Sequence, residues 1–161
     1  MDEQTFRWVD PAQVLADTVK LSGLEYVQGL QDGTVPPPPI AVLMQFSAFE
    51  VEFGKVVFGC QPSHAHYNPI GMVHGGLVCT LLDTVTGCAA HTTLPAGVGY
   101  TSVEIKVNYL RPVLADTGLL KSTGHVIKGG NRVIFAEGNV TNSAGDLVAT
   151  ATSTLLVRSA R

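Results

Sequence analysis

The sequence predicts an α+β domain in which a curved, mostly antiparallel β-sheet packs on one central α-helix. Three observations predict it. An apolar stripe at helical spacing, Leu77, Val78, Leu81, Leu82, Val85 and Ala89, runs through residues 74–93. Strand-like segments lie on both sides of that helix, and those after it are joined by connectors too short for crossover helices. The connectors themselves carry turn residues. The 161 residues suit one folded domain, and a 45% hydrophobic content can fill a sizeable core.

Residues 1–39 read as a helical lead-in and Pro-rich linker, and residues 40–161 as the main domain. Asp10 can cap a helix with Pro11 at its first position. Ser22 and Glu25 form a capping box ahead of Leu24, Val27 and Leu30, and Gly33 ends that second helix. The prolines at 36–39 then force an extended connection. Residues 42–52 and 55–61, joined through Gly54, read as a β-hairpin. A loop over 62–73 leads into the central helix. Further strands are expected at about 100–110, 119–127, 132–141 and 147–157, separated by Pro112, Gly129-Gly130 and the turn at 143–146.

A net charge of −3 with no run of basic residues argues against nucleic acid as the main partner. No stretch reaches the roughly 18 consecutive apolar residues of a membrane span. The start, Met1-Asp2-Glu3-Gln4, is too acidic and polar for a secretory signal, so a cytoplasmic location is expected. Cys60, Cys79 and Cys88 are odd in number and lack CxxC spacing, which predicts reduced, packed thiols. Charged residues make up only 14%, and a surface so poorly charged suggests burial in an oligomer.

The central helix lacks an ordinary solvent face. Opposite its apolar stripe lie Gly76, Cys79, Thr80, Asp83, Thr86 and Gly87, and Asp83 is the sole Asp, Glu, Lys or Arg between His74 and Thr93. Such a face is expected to be buried against a second copy of the chain or a ligand. Gly75 and Gly76 are each poor helix residues, by about 1 kcal/mol relative to alanine. At a helix start, however, glycine lets a ligand approach free N–H groups at the positive end of the dipole. That arrangement binds a phosphate or polarises a carbonyl oxygen.

Other chemistries fit less well. His64, His66 and His74 lack a further ligand at a compatible position, so no metal or other cofactor is expected. Cys79 and Cys88 have no evident base and read as packing residues. No G-x-S-x-G elbow occurs. His91 and His125 have no partner visible in the sequence and read as surface or edge residues.

The stretch Asn68-Pro69-Ile70-Gly71-Met72-Val73-His74-Gly75-Gly76, with Asp83 seven residues beyond the last glycine, resembles the hotdog-fold acyl-CoA thioesterases of the phenylacetate-degradation type. The resemblance covers about residues 36–157, and Tyr109-Leu110-Arg111-Pro112 sits where that family ends the long strand after the helix. It implies a hotdog fold, a sheet wrapped around one helix, and hydrolysis of an aryl- or medium-chain acyl-CoA. Asp83 would act as nucleophile or general base, and the Gly75 N–H would polarise the thioester oxygen. Asn68 and His74 would orient or polarise the substrate, with Gly76 beside it. A strand hydroxyl would assist: Thr101 is preferred, with Ser102 then contacting substrate. Arg111, Lys128 and Arg132, with Gly129 permitting a tight turn, are candidates for the CoA phosphates. Phe46, Phe49, Phe53, Phe58, Tyr67 and Tyr100 could line the acyl pocket or belong to the core.

A hydratase of the same fold would need acid–histidine motifs that this sequence lacks. A non-catalytic acyl-CoA-binding or sensor module is the alternative reading. Asp83 favours an enzyme, because binding a neutral acyl group gains nothing from a buried carboxylate.

Helix geometry adds a constraint. At about 1.5 Å per residue, Gly75 and Asp83 lie roughly 12 Å apart. A carbonyl under attack must sit about 3 Å from both its oxyanion donor and its nucleophile. One helix cannot supply both groups, so a homodimer with two shared sites is required. The family leads us to expect a tetramer.

Overall fold

A computed structural model describes residues 3–159, so Met1 and Asp2 of the acidic start lie outside the described residues. The lead-in forms as its caps dictate. Helix α1 (Pro11–Thr18) begins where the Asp10 carboxylate accepts the Ala12 N–H at 2.9 Å. Helix α2 (Gly23–Asp32) carries the complete Ser22–Glu25 capping box and ends at Gly33, whose φ of 80° suits a residue without a Cβ.

The expected extended run from residue 42 is corrected by the structure. Residues 42–44 belong to a short helix, α3 (Pro39–Met44), because Pro39 occupies a first-turn position where its missing N–H and fixed φ favour helix. Gln45 stops it in the left-handed region at φ 55°. The hairpin therefore starts at residue 46 and not at 42, as β1 (Phe46–Glu52) and β2 (Lys55–Cys60), turning at Gly54 with φ 75°.

Helix α4 (Gly75–His91) follows, then β3 (Val98–Tyr109), β4 (Leu120–Lys128), β5 (Val133–Thr141) and β6 (Leu147–Ser159). The six strands order as β1-β2-β4-β5-β6-β3, and every neighbouring pair is antiparallel. Strand β3 follows α4 in sequence yet pairs at the far edge, beside β6. Helix α4 consequently crosses the sheet, and the sheet curves around it as expected.

The stripe Leu77, Val78, Leu81, Leu82, Val85 and Ala89 is buried, at 0–3% exposure. What lets the helix come so close is a cross-strand glycine pair, Gly124 on β4 opposite Gly138 on β5. A Cβ on Gly124 would run into the backbone carbonyl of Val85, and one on Gly138 would press on Val85 and Thr86 at 3.3 Å. The sheet thus offers bare backbone where the helix axis passes over it. Thr86 and Gly87, expected on the open face, are instead buried because the curved sheet reaches further around α4 than a flat one would. The Thr86 hydroxyl is satisfied by donating to the Leu82 carbonyl at 2.9 Å.

Two histidines also depart from expectation. His125 has a partner, Glu137 on the adjacent strand, at 2.9 Å. His91 is no surface residue: its half-buried ring lies between Tyr26 and Tyr100, with centroids at 5.4 and 5.6 Å. Burial lowers its pKa below the ordinary 6.5, so the neutral form is favoured in the fold. The stabilisation is therefore complete above about pH 6.5 and is lost as pH falls through the depressed folded value.

Gly124→Ala should destabilise the fold by about 3 kcal/mol, whereas Gly129→Ala, into open space, should be near neutral; urea unfolding measures both. Between pH 7 and pH 5 the melting temperature of the wild-type protein should fall more than that of His91→Phe, a comparison for scanning calorimetry.

Candidate active site

The loop before α4 is built by its own side chains. Asn68 Oδ1 accepts the Ile70 and Met72 N–H groups at 3.1 and 3.3 Å, and Asn68 N donates to the Met72 carbonyl at 2.8 Å. Gly71 closes this turn at φ 83°, which a side chain would oppose. Val73 and His74 then anchor the segment, donating to the Val113 and His66 carbonyls at 2.9 and 2.8 Å. With Oδ1 engaged, the Asn68 side-chain NH2 is the group left to donate outward.

At the helix start His74 is the N-cap: its Nδ1 accepts the Gly76 N–H at 2.8 Å. That bond engages the Gly76 amide, so Gly76, expected beside the substrate, has no free N–H to offer it. It also explains the glycine, because a Cβ at 76 would lie 2.9 Å from His74 Nδ1. An accepting Nδ1 assigns the ring proton to Nε2, which turns a donor towards the exposed side. The Gly75 N–H has no acceptor among the described residues.

Tyr109, placed by the sequence only at the end of the long strand, completes this end. The Tyr109 hydroxyl, at the close of β3, donates to the Gly75 carbonyl at 3.0 Å, and its ring would be 3.2 Å from a Cβ at Gly75. Tyr109 therefore sets the tilt of the first helical peptides. The Tyr109-Leu110-Arg111-Pro112 segment marked the strand end, and such a signal does not reveal what that end meets.

Just over two helical turns beyond Gly75, Asp83 is exposed, and its Oδ1 accepts the Ser102 hydroxyl at 2.8 Å. The hydroxyl that reaches Asp83 is thus that of Ser102 and not of the preferred Thr101. Side chains alternate along a strand, and Ser102 pairs with buried Leu155 while Thr101 pairs with Leu156, 40% exposed. The register puts Ser102 on the helix side and Thr101 on the other. Around Asp83 the Thr80 and Thr84 hydroxyls are turned back to the helix carbonyls of Gly76 and Thr80, at 2.8 and 2.7 Å. Cys79 and Cys88 have raised thiol pKa values, first through burial and then through the Asp83 charge, with Cys88 pushed up to about 12. They are poor nucleophiles. All three cysteines are free.

The expected cations are not gathered. Arg111 lies at the Gly75 end, donating to the Leu147 carbonyl at 2.7 Å, with Asp146 at 4.0 Å. Lys128, Gly129 and Arg132 are exposed at the other end, beside the hairpin turn that meets the close of α4. A helix of 17 residues, about 25 Å, separates the two groups. Of the expected pocket aromatics, Phe46 and Phe58 are buried and pack edge-to-face at 6.1 Å. Phe53 is 70% exposed, and the Tyr67 hydroxyl accepts the Ala115 N–H at 3.0 Å. Among the described residues no helix is long and apolar enough to cross a membrane.

Residues 70–149 match the Thioesterase superfamily. The chain is 34% identical over 97 residues to human acyl-coenzyme A thioesterase 13, covering 60% of this chain and 68% of that protein. Among solved structures, a phenylacetic acid degradation-related protein from Ralstonia eutropha JMP134 superposes with a TM-score of 0.74 at 29% identity, over 81% of this chain and 98% of the other. A Streptococcus mutans protein solved bound to acetyl-CoA gives 0.66 at 27% identity, over 72% and 90%. The antiparallel sheet curved around α4 is the hotdog fold, and this chain belongs to the thioesterase superfamily, as an enzyme of the thioester-hydrolase class.

Proposed function

We propose that the protein hydrolyses an aryl- or medium-chain acyl-CoA to free acid and CoA, at sites shared between two copies of the chain. The observation that carries this reading is Asp83 held by Ser102 on an uncovered helix face of small, neutral side chains. A merely solvated helix acid needs no hydroxyl from a distant strand. Ser102 occupies Oδ1 and leaves Oδ2 to act.

Two routes use that oxygen. As nucleophile, Oδ2 adds to the thioester carbon, the CoA thiolate leaves, and water cleaves the resulting anhydride. As general base, Asp83 takes a proton from water, the hydroxide adds, and the thiolate departs. In either case negative charge develops on the carbonyl oxygen. The unpaired Gly75 N–H, at the positive end of α4, suits that charge, with Asn68 and His74 donors on the same loop.

Gly75 and Asp83 remain about 12 Å apart along one helix, so Gly75 of one copy would serve Asp83 of its partner. Pairing of the α4 faces would cover Gly76, Cys79 and Thr80. It would also let cations from both ends of the fold, Arg111 from one and Lys128 and Arg132 from the other, approach one CoA. Pairing of such dimers into a tetramer is part of this reading. The free thiols support a reducing, cytoplasmic setting.

Release of free thiol from a panel of acyl-CoAs tests the activity; binding without release would favour the sensor module instead. Asp83→Asn should lower kcat by about 100-fold or more with unchanged melting. Full activity in that variant would sink the assignment. Ser102→Ala should lower kcat by roughly tenfold while Thr101→Ala changes it little. Co-expressed Asp83→Asn and Asn68→Ala chains should recover activity that neither has alone, because a mixed dimer rebuilds one complete site. No recovery from verified mixed dimers would place the whole site in one chain.

A further inference from the structure

Beneath the lead-in the fold leaves an apolar chamber that the chemistry at Asp83 does not explain. Its volume is about 780 Å³, within the range of about 300–1,000 Å³ usual for small-molecule sites. Its outer wall is α1, through Val14 and Leu15, with Val19 and Leu21 just beyond. Its inner wall is Tyr26, His91 and Tyr100, and the prolines at 36–39 close one side.

The outer wall has little else to hold it. Helix α1 is eight residues long and buries none of them; Leu15 is 69% exposed and Val19 52%. A helix this short does not persist in water on propensity alone and needs an apolar surface to pack on. Here its apolar residues line a void. A long apolar occupant would complete the contact.

The inner wall shares strand β3 and helix α4 with the candidate reacting groups. Tyr100 and Ser102 lie two residues apart on β3 and share the helix side, about 7 Å along the strand. Ser102 holds Asp83; the Tyr100 hydroxyl stands over Gly87, one turn beyond Asp83, where a Cβ would fall 2.5 Å from that oxygen. Gly87 is bare because Tyr100 passes there. Burial first, and then the charges of Cys88 and Asp83, push the Tyr100 phenol upward, so it stays protonated beside an apolar ligand.

We propose that this chamber holds the distal part of the substrate's acyl tail, and that α1 with the proline run moves selectivity from the aryl- or medium-chain groups named above to long aliphatic ones. An aryl group attached at Asp83 would reach only the His91 and Tyr100 rings, leaving the aliphatic wall of α1 unused. The superfamily match begins at residue 70, so α1 and the proline run lie outside the matched segment. The proposal rests on the thioesterase reading above.

Leu15→Trp and Val14→Trp each place an indole in the chamber from a position that the fold does not bury. For both, kcat/KM with palmitoyl-CoA should fall at least about tenfold while that with butyryl-CoA stays within about twofold. Equal losses on both substrates, or none on either, would overturn the proposal. Binding of the fluorescent fatty acid cis-parinaric acid reads the chamber without turnover and should weaken in both variants; unchanged binding also overturns it. Wild-type protein that binds this probe yet releases no thiol would defeat the hydrolase reading and keep the chamber. Thiol release without probe binding would defeat the chamber alone. Light scattering closes the remaining route: variants that lose the native oligomer would assign the void to a second copy, against the proposal.

Discussion

The contact of α4 with the glycine pair Gly124 and Gly138 is the constraint on which the rest of the structure depends. With no Cβ on either strand, the helix backbone at Val85 settles onto the sheet, and every nearby distance follows. Asp83 lies two residues before Val85, so the depth of the helix also sets how far the carboxylate stands from Ser102 on β3. A core packed to crystal-like density transmits such a shift instead of absorbing it. Stability and site geometry are thus joined at one point.

The two ends of α4 solve different problems. At its start, polar groups are spent on backbone: His74 caps Gly76, Tyr109 holds the Gly75 carbonyl, and Asn68 closes its own turn. These bonds leave the Gly75 N–H as the donor without an internal partner among the described residues. At the other end the helix enters an aromatic setting, with His91 between Tyr26 and Tyr100. Between the two lies the neutral face around Asp83, where threonine hydroxyls bond back to the helix and offer no competing polarity. A polar zone, the neutral face around Asp83 and an apolar zone therefore follow one another along a single helix, which suits the proposed ligand with its charged head, reactive carbonyl and apolar tail.

Covering this face with a second copy reconciles two facts that conflict within one chain. A 17-residue helix holds both halves of the proposed chemistry, yet its own rise keeps them apart. Strand β3 is an edge of the sheet and lies beside that face. An unpaired edge is a ready surface for pairing. The same association would bury exposed β3 side chains such as Val103, which is 58% exposed.

What was legible in the sequence was local or periodic. Capping signals placed α1 and α2, the 3.6-residue stripe placed α4, and turn residues separated the strands. The spacing from Asn68 to Asp83 marked the family, because motif residues close in sequence stay close in space. The misses were those that needed a partner from elsewhere in the chain. Pro39 starts a helix where a strand was expected, because a proline in a run breaks one element and begins another with equal ease. Thr101 and Ser102 are indistinguishable until the pairing with β6 assigns each a face, and a one-residue change of register would exchange them. His91, Tyr109 and the glycine pair gained their roles only when α4 was laid across the sheet, since contacts between residues dozens of positions apart leave no period to read. The sequence by itself determined most of the elements and named the candidate reacting groups; the tertiary structure decided which faces meet, because side-chain direction is set by register and packing depth.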